Sequence, residues 1–344
     1  MAIGTSPCPP FSNRSGLPPG VIWDGNTIAW YKYNDTRTYA YDGGGRVANW
    51  LDRYNYLESA ELVNQLQWFT PAYWNTFNPN WSQVGNTLVS NGNNGFLQKN
   101  NFFVIGTTYR LRLTVIRNAG QLNATDGVFT YAQINLSGSY TFLFTATAVN
   151  MVFSSVLFNG SITAMSVISI AGNHLVQQTA ANEPTWNVNG IIFDGANDFM
   201  VTHAIPGLVQ PTIIYWCGRQ VTWTINDRFF DGVGVTSGIV SQSAVSPEIR
   251  AAANLASPVN GNLPVNTFGI VTVYFNGVNS FLRVNRTAPV NWNCGVLNML
   301  GFCLGSGAGG AANWANIQNK EIIIRTNIAG QDDIYNYIRN SNGI

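Results

Sequence analysis

Charged side chains are scarce in this sequence. They make up 10% of its 344 residues, 17 Lys+Arg against 16 Asp+Glu, where an average soluble domain carries roughly 25%. A net charge of +1 leaves no electrostatic footprint for nucleic acid or an anionic membrane, so neither is expected as a partner. Solubility must rest on Asn, Gln, Ser, Thr and Gly. Histidine is nearly absent: His174 and His203 are too few for a three-histidine metal site. No GxSxG, HExxH or phosphate-loop motif occurs. The acidic residues are scattered, Asp24, Asp35, Asp42, Asp52, Glu58 and Glu61 being followed by none until Asp126, so no carboxylate pair of glycosidase type stands out. These absences together predict a chain that is not an enzyme.

The four cysteines, Cys8, Cys217, Cys294 and Cys303, show no CxxC spacing. Cys294 and Cys303 could pair across a short loop, whereas Cys217 sits in the apolar run TIIYWCG and reads as a buried thiol. The set as a whole reads as the reduced cysteines of a protein made in a cytoplasm. No apolar run approaches the roughly 20 residues that a membrane-spanning helix needs, so no membrane insertion is expected. The opening, MAIGTSPCPPFSNRSGLPPG, has neither a basic n-region nor an apolar h-region and is not expected to be a secretory signal. Its Pro, Gly and Ser content predicts an extended arm over residues 1–25 that packs along a partner.

What is abundant is apolar and aromatic: 46% and 13% of the residues, enough for sizeable cores. Turn signals (NG, DG, GN, SG) recur between short runs rich in Val, Ile, Thr, Phe and Tyr, a rhythm that indicates β-sandwiches. In TYRLRLTVIRN, 108–118, Tyr109, Leu111, Leu113 and Val115 face one way and Arg110, Arg112 and Thr114 the other, as in a half-buried strand. SYTFLFTATA (139–148), FGIVTVYFNG (268–277) and FLRVN (281–285) alternate similarly. Two helices are expected, one within 46–66 and a short packing helix in QDDIYNYIRN, 331–340, with its acidic residues near the N-terminus.

Three separated stretches share one pattern. NTIAWYKYNDTRTYAYDGGGRVANWLD, 26–52, places a Trp-Tyr pair before a loop and a V-x-x-W-x-D turn. GNHLVQQTAANEPTWNVNGIIFDGANDFMV, 172–201, has a G-N-x-L-x-Q entry, a P-x-W loop and a strand ending FDG-x-x-D. WANIQNKEIIIRTNIAGQDDIYNYIRNSNG, 314–343, supplies a last strand, opened by Glu321, and a helix. These stretches resemble the concanavalin-like, laminin-G-like jelly rolls. Between Asp52 and Gly172 stands a Trp-rich segment with a G-x-x-Y-x-L strand, a G-S-Y-T-F-x-F-T-A strand and a closing F-x-G-S-I-T-A-M-S-V pair. It resembles the jelly-roll carbohydrate-binding modules. The resemblance implies an all-β fold of two jelly-roll β-sandwiches, the second inserted in a loop of the first, with a short C-terminal helix. The implied boundaries are an arm at 1–25, the outer sandwich at 26–63 and 172–344, and the insert at 64–171. Loop tips tolerate such insertions.

Two candidate sites follow. In the insert, Tyr73, Trp74 and Trp81 are interleaved with amides such as Asn78, the composition of a sugar-binding surface, and at least one of Trp74 and Trp81 is expected to be exposed. In FDGANDFM, 193–200, Asp194, Asn197 and Asp198 offer oxygens to a loop Ca²⁺, as Asp227 and Asp231 do in INDRFFDG. The same residues form turns by bonding their own backbone, and the turn is the favoured reading. No cofactor is expected beyond that calcium alternative. GSGAGGAANW, 305–314, lacks the Lys of a phosphate loop and reads as a mobile loop or a close-packed tip.

A recognition-type fold pair, an uncharged surface and an anchoring arm together suggest a non-enzymatic bacteriophage virion surface protein: a head fibre, head decoration or tail-associated protein, structural and adhesive to glycans. It would be made in the host cytoplasm, attach to other virion proteins through its arm and bind cell-surface glycans. A homotrimer would fit a fibre and a monomer a decoration protein. The alternative is a bacterial extracellular protein, lectin-like or accessory to a glycoside hydrolase.

Overall fold

A computed structural model describes residues 26–33, 39–41, 46–52, 57–62, 65–177, 179–202, 208–233, 238–255 and 261–344. The arm at 1–25, Cys8 and His203 lie outside these residues, as do Asp24, Asp35 and Asp42. The fold is all-β: two sandwiches, one inserted in the other, and a single C-terminal helix of more than one turn among the described residues, Gln331–Asn342. Among the described residues no helix is long and apolar enough to cross a membrane.

The outer sandwich stacks two antiparallel sheets. In the first, the strand Asn316–Arg325 is central. On one side it pairs with Gly190–Asp194 through its first half and with Thr27–Lys32 through its second; on the other side it pairs with Thr212–Gln220. Gly269–Phe275, Ser280–Val284 and Val290–Trp292 continue the sheet outward. The second sheet runs from Tyr39–Tyr41 through Val47–Trp50, Leu175–Val176, Met200–Thr202, Cys303–Leu304 and Arg228–Asp231 to Ile239–Gln242, Glu248–Ala252 and Gly261–Asn262. Trp50, Phe193, Trp216, Phe229, Phe230 and Ile317 are among the side chains that fill the space between the sheets. The opposite face of the first sheet, with Trp30, Tyr215, Ile270 and Ile323, is covered by Ile334, Tyr335, Tyr337 and Ile338 of the helix.

This helix corrects one expectation. Gly269–Phe275 does not alternate between buried and exposed but is buried throughout, because the helix dries the face that would otherwise meet water. Of the helix expected within 46–66, only the last two residues are helical among the described residues. Val47–Trp50 and Leu57–Glu58 are strands, and among the described residues helix in this stretch is the one turn Gln65–Trp68. Val47 and Trp50 enter the outer core, and the ladder from Trp50 to Leu175 outweighs a weak helical pattern.

The insert is organised by two long paired strands, Thr108–Thr125 and Met151–Ala171. Their first and last halves have different neighbours. Residues 108–115 pair with Gly138–Thr145, and Thr130–Ile134 pairs with 122–125. Residues 159–162 pair with Leu88–Asn91, and 151–155 pair with Gly95–Lys99. The ladder is interrupted between Val156 and Asn159, where Gly120 has φ +71° and a Cβ at its position would lie 1.9 Å from the carbonyl oxygen of Leu157. Only glycine fits that approach. Tyr109, Leu111, Leu113 and Val115 from one half face the same core as Leu122, Ala124 and Phe153 from the other. The bent pair thus supplies both walls of the second sandwich.

Candidate functional site

The tryptophans singled out in the sequence do not form a surface. Trp74 is 5% and Trp81 3% exposed, so the expectation that one of them is exposed is wrong. Trp74 donates its indole N–H to the carbonyl of Trp68 at 3.0 Å and meets Phe153 edge-on; Trp81 stacks on Phe158. A small sandwich gains more from drying these large rings than from displaying them. Tyr73 is half-buried against Trp68, with Lys99 Nζ 4.5 Å from its ring centroid, and burial pushes its hydroxyl up to about 12. Asn78 is half-buried, and its Oδ1 accepts the N–H of Asn80 at 2.9 Å. These four residues brace one edge of the insert.

The register brings a different set together. Leu97, Leu122, Ala124, Met151 and Phe153 face the core, so their strand neighbours face outward. Across four adjacent strands Gln133 opposes Asn123, Asn123 opposes Ser154, and Ser154 opposes Phe96. A second row runs Thr125, Val152, Gln98, Thr76, and Gln121 opposes Val156 in a third. Phe96 is 39% and Val156 49% exposed; Gln133 is exposed, and Asn123, Ser154, Gln98 and Gln121 are half-buried. None of these residues carries a formal charge. Gln121 donates to Asn123 Oδ1 and Gln98 to Asn100 Oδ1, which fixes the direction of both amides.

The turns around Phe96 are rich in asparagine. Asn80 Nδ2 donates to the carbonyl of Asn94 at 2.8 Å, and the N–H of Leu157 donates to Asn94 Oδ1 at 2.9 Å. At its Phe96 end the platform is held by these side-chain amides as well as by Leu97 in the core. Four strands at about 4.8 Å spacing give a flat row of about 14 Å. A ring face flanked by amide and hydroxyl groups suits a polyhydroxylated neutral ligand and offers no formal charge to a phosphate or a carboxylate. The sequence signal was present in GFLQ, 95–98: Leu97 as the inward residue puts Phe96 and Gln98 outward.

The acidic loop forms a turn. Asp194 Oδ1 accepts the N–H groups of Ala196, Asn197 and Asp198, at 2.8, 3.3 and 3.4 Å. Asp198 Oδ2 accepts that of Asp194 at 3.0 Å, and Asn197 Nδ2 donates to the carbonyl of Ala181. Asp194 Oδ1 and Asp198 Oδ2 are thus engaged by backbone amides of their own loop, the bonding of a turn. Burial, with the nearby Asp194 charge, pushes Asp198 up to about 6. Asp231 is likewise committed, to Arg228, to the N–H of Ala308 and to that of Gly232, and burial pushes Asp227 up to about 6. Among the described residues no three His, Cys, Asp or Glu side chains cluster as metal ligands. Cys217, Cys294 and Cys303 are buried free thiols. The glycine-rich stretch is a close-packed tip: a Cβ on Gly305 would lie 2.2 Å from the Phe193 ring, and one on Gly310 2.3 Å from that of Phe199.

No family model matches the chain, and no curated protein matches it. Among solved structures it is similar to Trypanosoma rangeli sialidase in complex with 2,3-difluoro-KDN, at 10% identity and a TM-score of 0.38, over 49% of this chain and 30% of that one. It is similar to the same sialidase in complex with sialic acid, at 10% identity and a TM-score of 0.36, over 88% of this chain and 62% of that one. It is also similar to domains LG4-5 of the mouse laminin alpha1 chain, at 9% identity and a TM-score of 0.29, over 73% and 89%. The chain thus spans 30% of the length of the first sialidase and 62% of the second. Because these neighbours include enzymes, the expectation of a non-enzymatic chain is withdrawn. With TM-scores of 0.38 or less, the likeness assigns neither an activity nor a substrate.

Proposed function

We propose that the chain binds neutral glycans on the outward face built by Phe96, Gln98, Asn123, Gln133 and Ser154. The observation that carries this reading is the registered row Gln133–Asn123–Ser154–Phe96, in which an exposed ring is continuous with amide and hydroxyl groups and no charge interrupts it. Stacking a sugar face on Phe96 and bonding its hydroxyls to the three polar side chains would use the whole row. All of these residues lie within 64–171, the segment we take as the inserted domain. A glycan array probed with the full chain tests the idea: saturable binding that Phe96→Ala and Gln133→Ala each weaken supports it. Binding untouched by both substitutions, or no binding to any neutral glycan, sinks it.

The setting we propose for this activity is the surface of a bacteriophage virion, with residues 1–25 as the attachment to other virion proteins. Support comes from the composition, 10% charged and rich in uncharged polar residues, and from a pair of sandwiches suited to external recognition. Mass spectrometry of purified virions tests it. Finding the chain in culture supernatant free of particles would favour the bacterial extracellular alternative.

A further inference from the structure

Away from the binding face, a densely connected buried polar cluster lies under the C-terminal helix. Glu321, on the strand Asn316–Arg325, is fully buried. Its Oε1 accepts the indole N–H of Trp30 at 2.7 Å. Its Oε2 accepts three groups: Lys32 Nζ at 3.2 Å, Asn342 Nδ2 at 2.6 Å and Ser341 Oγ at 3.2 Å. Lys32 and Asn342 are themselves buried, at 6% and 7% exposure. Lys32 Nζ also lies 3.2 Å from the Tyr337 hydroxyl and 5.0 Å from that ring's centroid. The Asn342 amide is oriented by a second bond, Nδ2 to the carbonyl of Ile338 at 2.8 Å. Its Oδ1 is buried and has no hydrogen-bond partner among the described residues.

A helix cap does not need this arrangement. A buried ion pair gains little over an apolar contact, and an unmet buried carbonyl is costly. The combination places an amine, a carboxylate and a carboxamide together. A proton passed from the Lys32 ammonium to the Glu321 carboxylate, with which it is in contact at 3.2 Å, would leave a neutral amine beside a neutral acid. The amine is then a nucleophile, and the carboxamide carbon of Asn342 an electrophile. Glu321 Oε2 touches both the attacking nitrogen and the nitrogen that would leave, so one oxygen can take protons from the first and deliver them to the second.

We propose that Lys32 and Asn342 join in an intramolecular isopeptide bond, with Glu321 as the catalytic acid–base. The Nζ lone pair attacks Cγ of Asn342, forming the C–N bond and pushing the carbonyl pair onto Oδ1. Collapse of that intermediate breaks the Cγ–Nδ2 bond. Of the three protons on the Lys32 ammonium, one stays in the new amide and two pass through Glu321 to Nδ2. That nitrogen leaves as ammonium, and Glu321 ends as the carboxylate it began as. Nothing is oxidised or reduced, and no co-reactant is required. The product ties the first strand of the outer sandwich to the last turn of its helix.

Intact mass spectrometry of the full chain, unfolded after purification, tests this directly. The expected mass is short by one ammonia, and proteolysis releases a branched peptide containing Lys32 and Asn342. Glu321→Gln and Lys32→Arg should each restore the full mass while circular dichroism still reports a folded β-protein. A full mass in the wild-type chain after prolonged incubation overturns the proposal. Asn342 precedes Gly343, so a succinimide at that step would also lose one ammonia. A loss that persists in Lys32→Arg, or that mild base reverses to a linear peptide, assigns the loss to the succinimide and overturns the crosslink.

Discussion

The backbone N–H of Asp52 donates to Nδ1 of His174 at 3.0 Å, and these two residues bracket the inserted sandwich. Asp52 precedes the strand Leu57–Glu58, which already pairs with Met151–Ala171 of the insert, and His174 follows the chain's return. The Asp52 carboxylate completes the clamp: Oδ1 accepts the N–H of Trp30 at 3.0 Å and Oδ2 that of Asn173 at 3.1 Å. Because Nδ1 of His174 accepts, Nε2 carries the hydrogen and donates to the carbonyl of Ile170 at 3.2 Å. The Asp of the V-x-x-W-x-D turn and the residues of the G-N-x-L-x-Q entry are thus the parts that hold the junction, which is why two distant stretches of sequence carried one pattern.

This clamp predicts acid sensitivity. Burial holds the His174 imidazole down at about 4, against an opposing bond to Ile170, from an ordinary value of 6.5. Between those two values the unfolded chain binds more protons, so stability is full above 6.5 and falls as pH drops toward 4. The loss reaches about 3 kcal/mol. Asp198 acts in the opposite sense: raised to about 6, it favours the folded state as pH falls below that value. The comparison that isolates His174 is therefore with His174→Gln. Urea unfolding at pH 7 and pH 4 should show the wild-type protein losing about 3 kcal/mol more than the variant. Equal losses would mean that the ring is not buried neutral.

Trp74→Ala and Trp81→Ala are core substitutions, and we expect each to cost about 3–5 kcal/mol. Trp81 would leave its space against Phe158, and Trp74 would in addition strand the carbonyl of Trp68. Thermal unfolding should register both losses. Where the variants remain folded, glycan affinity should stay near that of the wild-type chain, since neither ring reaches the outward row. A variant with unchanged melting and abolished binding would contradict this placement.

Local periodicity carried much of the architecture. The alternation over 108–118 puts Tyr109, Leu111, Leu113 and Val115 in the core and leaves Arg112 exposed, as the period-2 rule requires. The helix at 331–340 was readable for the same reason, from Ile334, Tyr337 and Ile338 on one face. What failed depended on partners distant in sequence. Val47–Trp50 is a strand because Leu175 pairs with it. The proposed binding row needs four strands in register before Phe96 and Gln133 share a face. Glu321 lies in the middle of Asn316–Arg325 rather than opening that strand, and its neighbours Lys32 and Asn342 come from opposite ends of the outer sandwich.

Asp126 provides a test of how the insert's loops are held. Its buried carboxylate accepts five bonds: from the N–H groups of Val128 and Phe129 through Oδ1, and from Thr147 N, Thr147 Oγ1 and Ala148 N through Oδ2. Burial pushes this group upward, but the bonds from Phe129, Thr147 and Val128 outweigh it and hold it below its ordinary range. Asp126→Asn turns an acceptor into a donor that faces other donors. We expect a loss of about 2–4 kcal/mol, with hydrogen exchange accelerated first at 126–129 and 146–148. Uniform exchange across the insert would show that the loops are held by other means.

The proposed glycan face makes a further prediction through its lack of charge. Charge-driven binding weakens as the Debye length falls from about 10 Å at 0.1 M salt to about 3 Å at 1 M. A row of Phe96, Ser154, Asn123 and Gln133 has nothing to screen. Affinity for a neutral glycan, measured by titration calorimetry, should therefore hold across that range and between pH 5 and 9. Phe96→Ala should weaken it about tenfold, the loss of a stacking contact of about 1–1.5 kcal/mol. Phe96→Trp should preserve or strengthen it, because the larger ring keeps the same face outward. Binding that salt abolishes, or that Phe96→Trp destroys and Phe96→Ala spares, would place the ligand elsewhere on the molecule.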